Sequence, residues 1–220
     1  MKKNSSHKPL TFLTNELYFP SVEDANEEGL LAVGGDLSPE RLMLAYKNGI
    51  FPWFNEGSLI LWWSPNPRMV LFPERIKVSK SMQKVLKSNQ FSLTKNNCFA
   101  AVIDQCALAR REGQEGTWIT NEMKEAYLKL HELGYAQSYE VWQDNKLVGG
   151  LYGIDLGHIF CGESMFSKVS NTSKLAFIHL VKELQKKQYK LIDCQVYNEH
   201  LESLGAREIS REEFVRMLKA

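Results

Sequence analysis

The chain has no apolar run approaching the roughly 18 to 20 residues that cross a bilayer, and its opening, MKKNSSHKPL, is too polar for a secretory signal. The expectation is a cytoplasmic protein with no membrane partner. Cysteine is scarce: Cys98, Cys106, Cys161 and Cys194 form no C-x-x-C pair, which suggests neither a disulfide framework nor a zinc cluster. They read as reduced, mostly buried thiols. Net charge is nearly absent too. With 27 Lys+Arg against 26 Asp+Glu the balance is +1, so any nucleic-acid contact has to come from a local patch. Gly34-Gly35 lacks the lysine of a phosphate loop, and neither His131 nor His200 has metal-ligand spacing. No repeat or low-complexity tract is present.

What is present suffices for one substantial core, or one core plus a small accessory unit: 220 residues, 44% of them hydrophobic. The first nine residues are expected to be disordered. Ser38-Pro39 supplies an N-cap and a first-turn proline, and Gly49 a stop, which predicts a helix from Pro39 to Lys47 or Asn48. Residues 50–54 and 61–68 concentrate aromatics and prolines, a composition for rigid turns rather than a central strand. A boundary near residue 66 divides a small N-terminal domain, 1–66, from a main domain, 67–220.

Beyond it, apolar spacing predicts helices at 78–88, 98–111 and 121–133, the first with Lys80, Lys84 and Lys87 on one stripe. Short strands at 138–142, 146–152 and 158–161 follow, with turns tight enough for an antiparallel meander. Then come a long helix (173–187), a buried strand (191–196) and a terminal helix around 214–218.

Motifs along nearly the whole chain from about residue 19 carry a resemblance. They are Gly-Gly-Asp-Leu-Ser (34–38), Ala-Tyr-Lys-Asn-Gly-Ile-Phe-Pro-Trp-Phe (45–54), Trp-Trp-Ser-Pro-Asn-Pro-Arg (62–68) and Gly-Thr-Trp-Ile-Thr (116–120). Gly-Glu-Ser-Met-Phe-Ser (162–167), Ile-Asp-Cys-Gln (192–195) and His-Leu-Glu-Ser-Leu-Gly-Ala-Arg-Glu-Ile (200–209) complete the series. Together they resemble the leucyl/phenylalanyl-tRNA protein transferase family. A series this long and this ordered is far more specific than a lone glycine pattern. Asn66 departs from the family's usual Asp, and Gln137 stands where the family often has His.

The resemblance implies an α+β protein: a small N-terminal domain packed on a GNAT-like acyltransferase domain with a mixed, mostly antiparallel sheet flanked by helices. It implies a monomer that needs no cofactor and no metal. Its partners are Leu-tRNA or Phe-tRNA and proteins with N-terminal Arg or Lys, which the transfer marks for degradation. The implied reaction is aminolysis, in which the acceptor's α-amine attacks the ester joining the amino acid to the terminal adenosine. Holding an amine of pKa roughly 7.7 to 8.0 neutral near pH 7 costs only about 1 kcal/mol, whereas positioning two reactants contributes roughly 7 to 11 in the best cases. Orientation should therefore dominate.

Asp193, Gln195 and Glu163 are the active-site residues implied. On a strand, Asp193 and Gln195 face one side and Ile192 and Cys194 the other. Gln195 is expected to orient the amine or the carbonyl, with Asp193 holding Gln195 or the developing ammonium by charge. From the residues alone, a turn-capping aspartate and a satisfied strand-end amide are the favoured readings, and the resemblance reverses that order. Glu163, placed where a strand enters a loop, either pairs with the acceptor's cationic side chain or anchors that loop. The resemblance puts Met165 and Leu151 near the apolar pocket and Trp53 and Trp118, supported by Tyr46 and Tyr127, around the adenosine and aminoacyl group. It assigns Lys80, Lys84 and Lys87 to the tRNA backbone, although charge stripes are more often solvated faces. Trp62 and Trp63 read as structural. An acyl-coenzyme A enzyme of the same topology would need a glycine-rich pyrophosphate turn, which is not found, and a tRNA-binding protein without catalysis is the other rival.

Overall fold

The computed structural model describes residues 10–109 and 118–220. The N-terminal part builds a four-stranded sheet from β1 (Thr11–Leu13), β2 (Leu30–Gly34), β3 (Phe51–Pro52) and β4 (Leu61–Trp63), in the order β1-β2-β4-β3. The proline-bearing β3 lies at an edge, where a missing N–H costs no ladder bond. Between β2 and β3 runs α1 (Pro39–Lys47), capped by Ser38 Oγ, which accepts from Arg41 N at 3.4 Å. Gly49, at φ +76°, then turns the chain back. A Cβ at Gly49 would meet the Phe214 ring at 3.1 Å, so the same position brings the C-terminal helix close.

A seven-stranded sheet forms the rest. It comprises β5 (Arg68–Leu71), β6 (Ser92–Lys95), β7 (Ala136–Gln143), β8 (Lys146–Asp155), β9 (Ile159–Ser167), β10 (Leu191–Gln195) and β11 (Arg207–Ile209), in the order β11-β5-β10-β9-β8-β7-β6. All neighbours are antiparallel except β9 and β10, which run parallel. The helices are α2 (Lys80–Lys87), α3 (Phe99–Leu108), α4 (Asn121–Glu132), α5 (Thr172–Lys186), α6 (Glu199–Ser203) and α7 (Arg211–Lys219). The architecture is α+β.

Alternation along the strands divides the core between the two faces of the large sheet. Val70, Cys161 and Leu191 pack with α1, α3, α4, α7 and the small sheet. Met69, Leu71, Phe160 and Ile192 pack with α2 and α5. The small sheet shares the first of these cores, with Trp62 fully buried and donating from Nε1 to Gly34 O at 2.8 Å.

Several boundaries differ from expectation. The third meander strand is β9, which runs on to Ser167, so Glu163 sits inside a strand and not at a loop entrance. The strands β1 to β6 and β11 and the helix α6 are additional, and β4, from the stretch expected to form rigid turns, is an inner strand of the small sheet. The second predicted helix is α3; its expected reach to Arg111, like the first nine residues, lies outside the described residues. Asn66 Oδ1 accepts from Arg211 N at 3.0 Å, and Gln137 is tied to Gly134 O and Asn96 on the surface.

Candidate active site

The site exists because two parallel strands stop pairing. β9 and β10 are in register through Cys161 and Asp193. Beyond that point β9 continues beside β8, while β10 bulges against β5 between Asp193 and Gln195. A cavity of about 350 Å³ opens between Gly162–Met165 on one strand and Cys194–Val196 on the other.

A chain of polar groups forms its floor. Arg68 is 1% exposed and grips Asp193, also 1% exposed, through Nε to Oδ1 at 2.8 Å and Nη2 to Oδ2 at 2.7 Å. The rings of Phe51 and Phe214 cover the guanidinium, each 4.7 Å from its centre. Asp193 Oδ1 also accepts the backbone N–H of Gln195 at 2.9 Å. That bond supports Gln195 at φ +65°, a left-handed conformation that costs a side-chain-bearing residue about 1 to 2 kcal/mol. So held, Gln195 donates from Nε2 to Glu163 Oε1 at 2.9 Å. Tyr127 donates to Glu163 Oε2 at 3.0 Å, and Tyr46 hydrogen-bonds Tyr127 from behind. Gln195 Oε1 has no partner among the described residues.

Burial pushes Glu163 up from 4.5 to about 7, the donors from Tyr46, Tyr127 and Gln195 opposing that rise and the nearby Asp193 charge adding to it. Burial likewise raises the Tyr46 and Tyr127 phenols, which stay protonated as donors. The half-buried Glu163 is therefore a carboxyl group poised between its two states near neutrality.

Apolar side chains line the remaining wall: Leu151 and Met165, with Phe177, Leu180 and Ile192. Trp118 forms a nearly buried side, and Trp53 stands at the mouth, 40% exposed. Tyr46 and Tyr127 do not line the cavity. Each is about 1% exposed or less, so neither ring can stack on a ligand, and their part is the hydrogen-bond relay behind Glu163. Lys80, Lys84 and Lys87 are exposed on α2, away from this cavity.

Asp193 and Gln195 both border the cavity, and the strand bulges between them, so simple alternation does not hold here. Cys194 and Ile192 also touch the cavity. Arg68, Phe177, Leu180, Asn198 and His200 were not foreseen as site residues. An arginine heading the apolar run Arg-Met-Val-Leu is itself a sign of a buried charge needing a partner; Phe177 and Leu180 are indistinguishable in sequence from ordinary core. Among the described residues no group of three or more His, Cys, Asp or Glu is arranged to hold a metal.

Fold and site together define an α+β protein whose parted strands make a pocket with a largely apolar wall and an amide and a carboxylate at its floor. A family model for the leucyl/phenylalanyl-tRNA protein transferase matches residues 70–219, and one for that family's N-terminal domain matches residues 35–66. Proteins named leucyl/phenylalanyl-tRNA protein transferase are 65% identical in Flavobacterium johnsoniae, over 95% of this chain and 99% of that one, and 55% in Nitrosospira multiformis, over 96% and 91%. Among solved structures, an aminoglycoside acetyltransferase from a soil metagenome is similar at a TM-score of 0.40 and 15% identity, over 60% of this chain and 90% of that one. The chain belongs to the leucyl/phenylalanyl-tRNA protein transferase family.

Proposed function

We propose that the pocket between β9 and β10 is the chamber in which leucine or phenylalanine passes from tRNA to the α-amine of a protein beginning with Arg or Lys. One observation carries this reading: a fixed polar chain, Arg68–Asp193–Gln195–Glu163–Tyr127, ends a cavity with a largely apolar wall. The apolar wall around Leu151, Met165, Phe177 and Leu180 takes the leucyl or phenylalanyl side chain. Trp118 and Trp53 flank the terminal adenosine, where stacking contributes roughly 1 to 3 kcal/mol per base.

The amine nitrogen bonds to the ester carbonyl carbon, the carbon–oxygen bond to the ribose breaks, and the proton lost from nitrogen ends on the leaving oxygen. Gln195 Oε1, without a partner among the described residues, accepts a hydrogen bond from the entering amine and aims its lone pair. Glu163 shares the proton on the way. Its value of about 7 lies close to the roughly 7.7 to 8.0 of an α-amine, so the exchange costs about 1 kcal/mol. Asp193, with both oxygens on Arg68, acts by holding Gln195 and not as a base. The two hydrogen bonds Glu163 already makes support its role inside this network over a role as partner of the acceptor's side chain.

The reading extends to a GNAT-like large sheet, with domains 1–66 and 67–220, and to a tRNA backbone lying along Lys80, Lys84 and Lys87. The protein acts in the cytoplasm as a monomer, without metal or cofactor, and its product is marked for degradation. No helix of the described residues is long and apolar enough to cross a membrane. The test is transfer of labelled phenylalanine from Phe-tRNA to a protein beginning with Arg. Transfer should vanish on ribonuclease treatment of the tRNA and in Gln195→Ala. Transfer that persists unchanged in Gln195→Ala removes the mechanism.

A further inference from the structure

A second cavity lies on the far side of α6, lined by Lys77, Val78, Ser79, Met82, Lys174, Ser203 and Leu204. The two cavities share one short helix. Asn198, His200 and Leu201, at its start, border the first; Ser203 and Leu204, at its end, border the second. Three residues of α6, about 4.5 Å along its axis, separate His200 from Ser203.

The two charged residues that line this second cavity, Lys77 and Lys174, have one sign, although α6 itself carries Glu199 and Glu202. Lys77 and Lys174 have no ion-pair partner among the described residues, and neither do Lys80, Lys84 and Lys87 on the adjoining α2. In a chain of net charge +1, five unpaired lysines on neighbouring elements form a local positive field. Lys77 N donates to Leu204 O at 2.8 Å, anchoring its segment to the end of α6, and the Lys174 charge joins burial in lowering the pKa of His200. The cavity also faces the start of α2, where Ser79 Oγ caps Met82 N and first-turn N–H groups lack intrahelical acceptors.

We infer that Lys77 and Lys174 form a phosphate clamp for the RNA strand. The clamp takes a phosphodiester just before the terminal adenosine and leads the strand over α6, from the α2 lysines into the first cavity. It rests on the reading of the first cavity as the aminoacyl-adenosine site. Its consequence is a division of labour: the first cavity recognises the end of the molecule and the second its backbone, without regard to sequence.

The test compares two donors, Phe-tRNA and the phenylalanyl ester of adenosine, which carries no phosphate. In Lys77→Ala/Lys174→Ala, the KM for Phe-tRNA should rise about tenfold at 0.15 M salt. The slope of log KM against log salt should fall by about 1.4, from two contacts to a single strand. Turnover of the adenosine ester and the KM for the acceptor protein should not change. An unchanged KM for Phe-tRNA, an equal loss with both donors, or a rise confined to the acceptor's KM overturns the clamp. Should the unaltered protein fail to use the adenosine ester, the assignment of the first cavity falls; the salt slope of labelled Phe-tRNA binding then still decides the clamp.

Discussion

Replacing Glu163 with glutamine should change how stability depends on pH more than it changes stability itself. In the folded protein Glu163 titrates at about 7, against 4.5 for the exposed group. Between those values the folded chain keeps a proton that the unfolded chain has released, so unfolding free energy falls as pH rises through the window, and the loss is complete above about 7. The full difference corresponds to about 3 kcal/mol; partial exposure of the group brings the expected loss nearer 2. Glutamine cannot ionise. It keeps one of the two hydrogen bonds Glu163 makes, and giving up the other costs about 1 kcal/mol at every pH. Glu163→Gln should therefore be less stable than the parent at pH 5 and more stable at pH 8.5. Urea unfolding followed by tryptophan fluorescence at half-unit steps reads the crossing. His179 and His200 titrate in both proteins, and their contributions cancel in the difference. Two curves that stay parallel from pH 5 to 8.5 would refute the claim that burial holds this carboxyl near neutrality.

Three further outcomes follow from the same contacts. Asp193→Asn leaves the Arg68 guanidinium buried without its counter-charge and should cost about 3 to 5 kcal/mol in denaturant unfolding; a loss under 1 would mean the pair is not desolvated. Tyr127→Phe removes one donor that opposes the rise at Glu163, so the acid limb of the kcat/KM profile should move to higher pH, and an unmoved limb counts against the relay. Trp118→Ala should raise the KM for the phenylalanyl ester of adenosine by about tenfold to a hundredfold with kcat nearly kept, as loss of stacking demands. A fall in kcat alone would point to a structural role for that ring.

Much of this was readable from local signals and some was not, for definite reasons. The span of α1 follows from Ser38, Pro39 and Gly49, each acting within one turn of the helix end it sets. The meander was visible from its tight turns, but the continuation of β9 was hidden because Glu163 and Ser164 interrupt its apolar alternation in order to face the cavity. β6 and β11 are polar strands at the two edges of the sheet, where little apolar surface is buried and little pattern is written. Family motifs marked Asp193, Gln195 and Glu163, yet not how they act. That depends on pairs such as Arg68 with Asp193, 125 residues apart, and Tyr127 with Glu163, 36 apart, which no local periodicity encodes. That Tyr46 and Tyr127 stand behind the cavity wall was hidden for a related reason: an aromatic in a motif carries no sign of whether its ring or only its hydroxyl faces the site.

The small sheet is more than an appendage to the site it borders. Phe51, in β3, lies over the Arg68 guanidinium, and two residues later Trp53 stands at the cavity mouth. Phe214 of α7 closes the other face of the same guanidinium. One buried cation thus joins the N-terminal sheet, the C-terminal helix and, through Asp193, the turn that presents Gln195. A buried ion pair is a weak source of net stability, because desolvation offsets most of the attraction. Its effect here is geometric: bidentate contacts allow one orientation of Asp193, and Asp193 supports the left-handed turn at Gln195. On the mechanism proposed above, aminolysis of an already activated ester, proton removal costs about 1 kcal/mol and misorientation several, so this geometric contribution matters most.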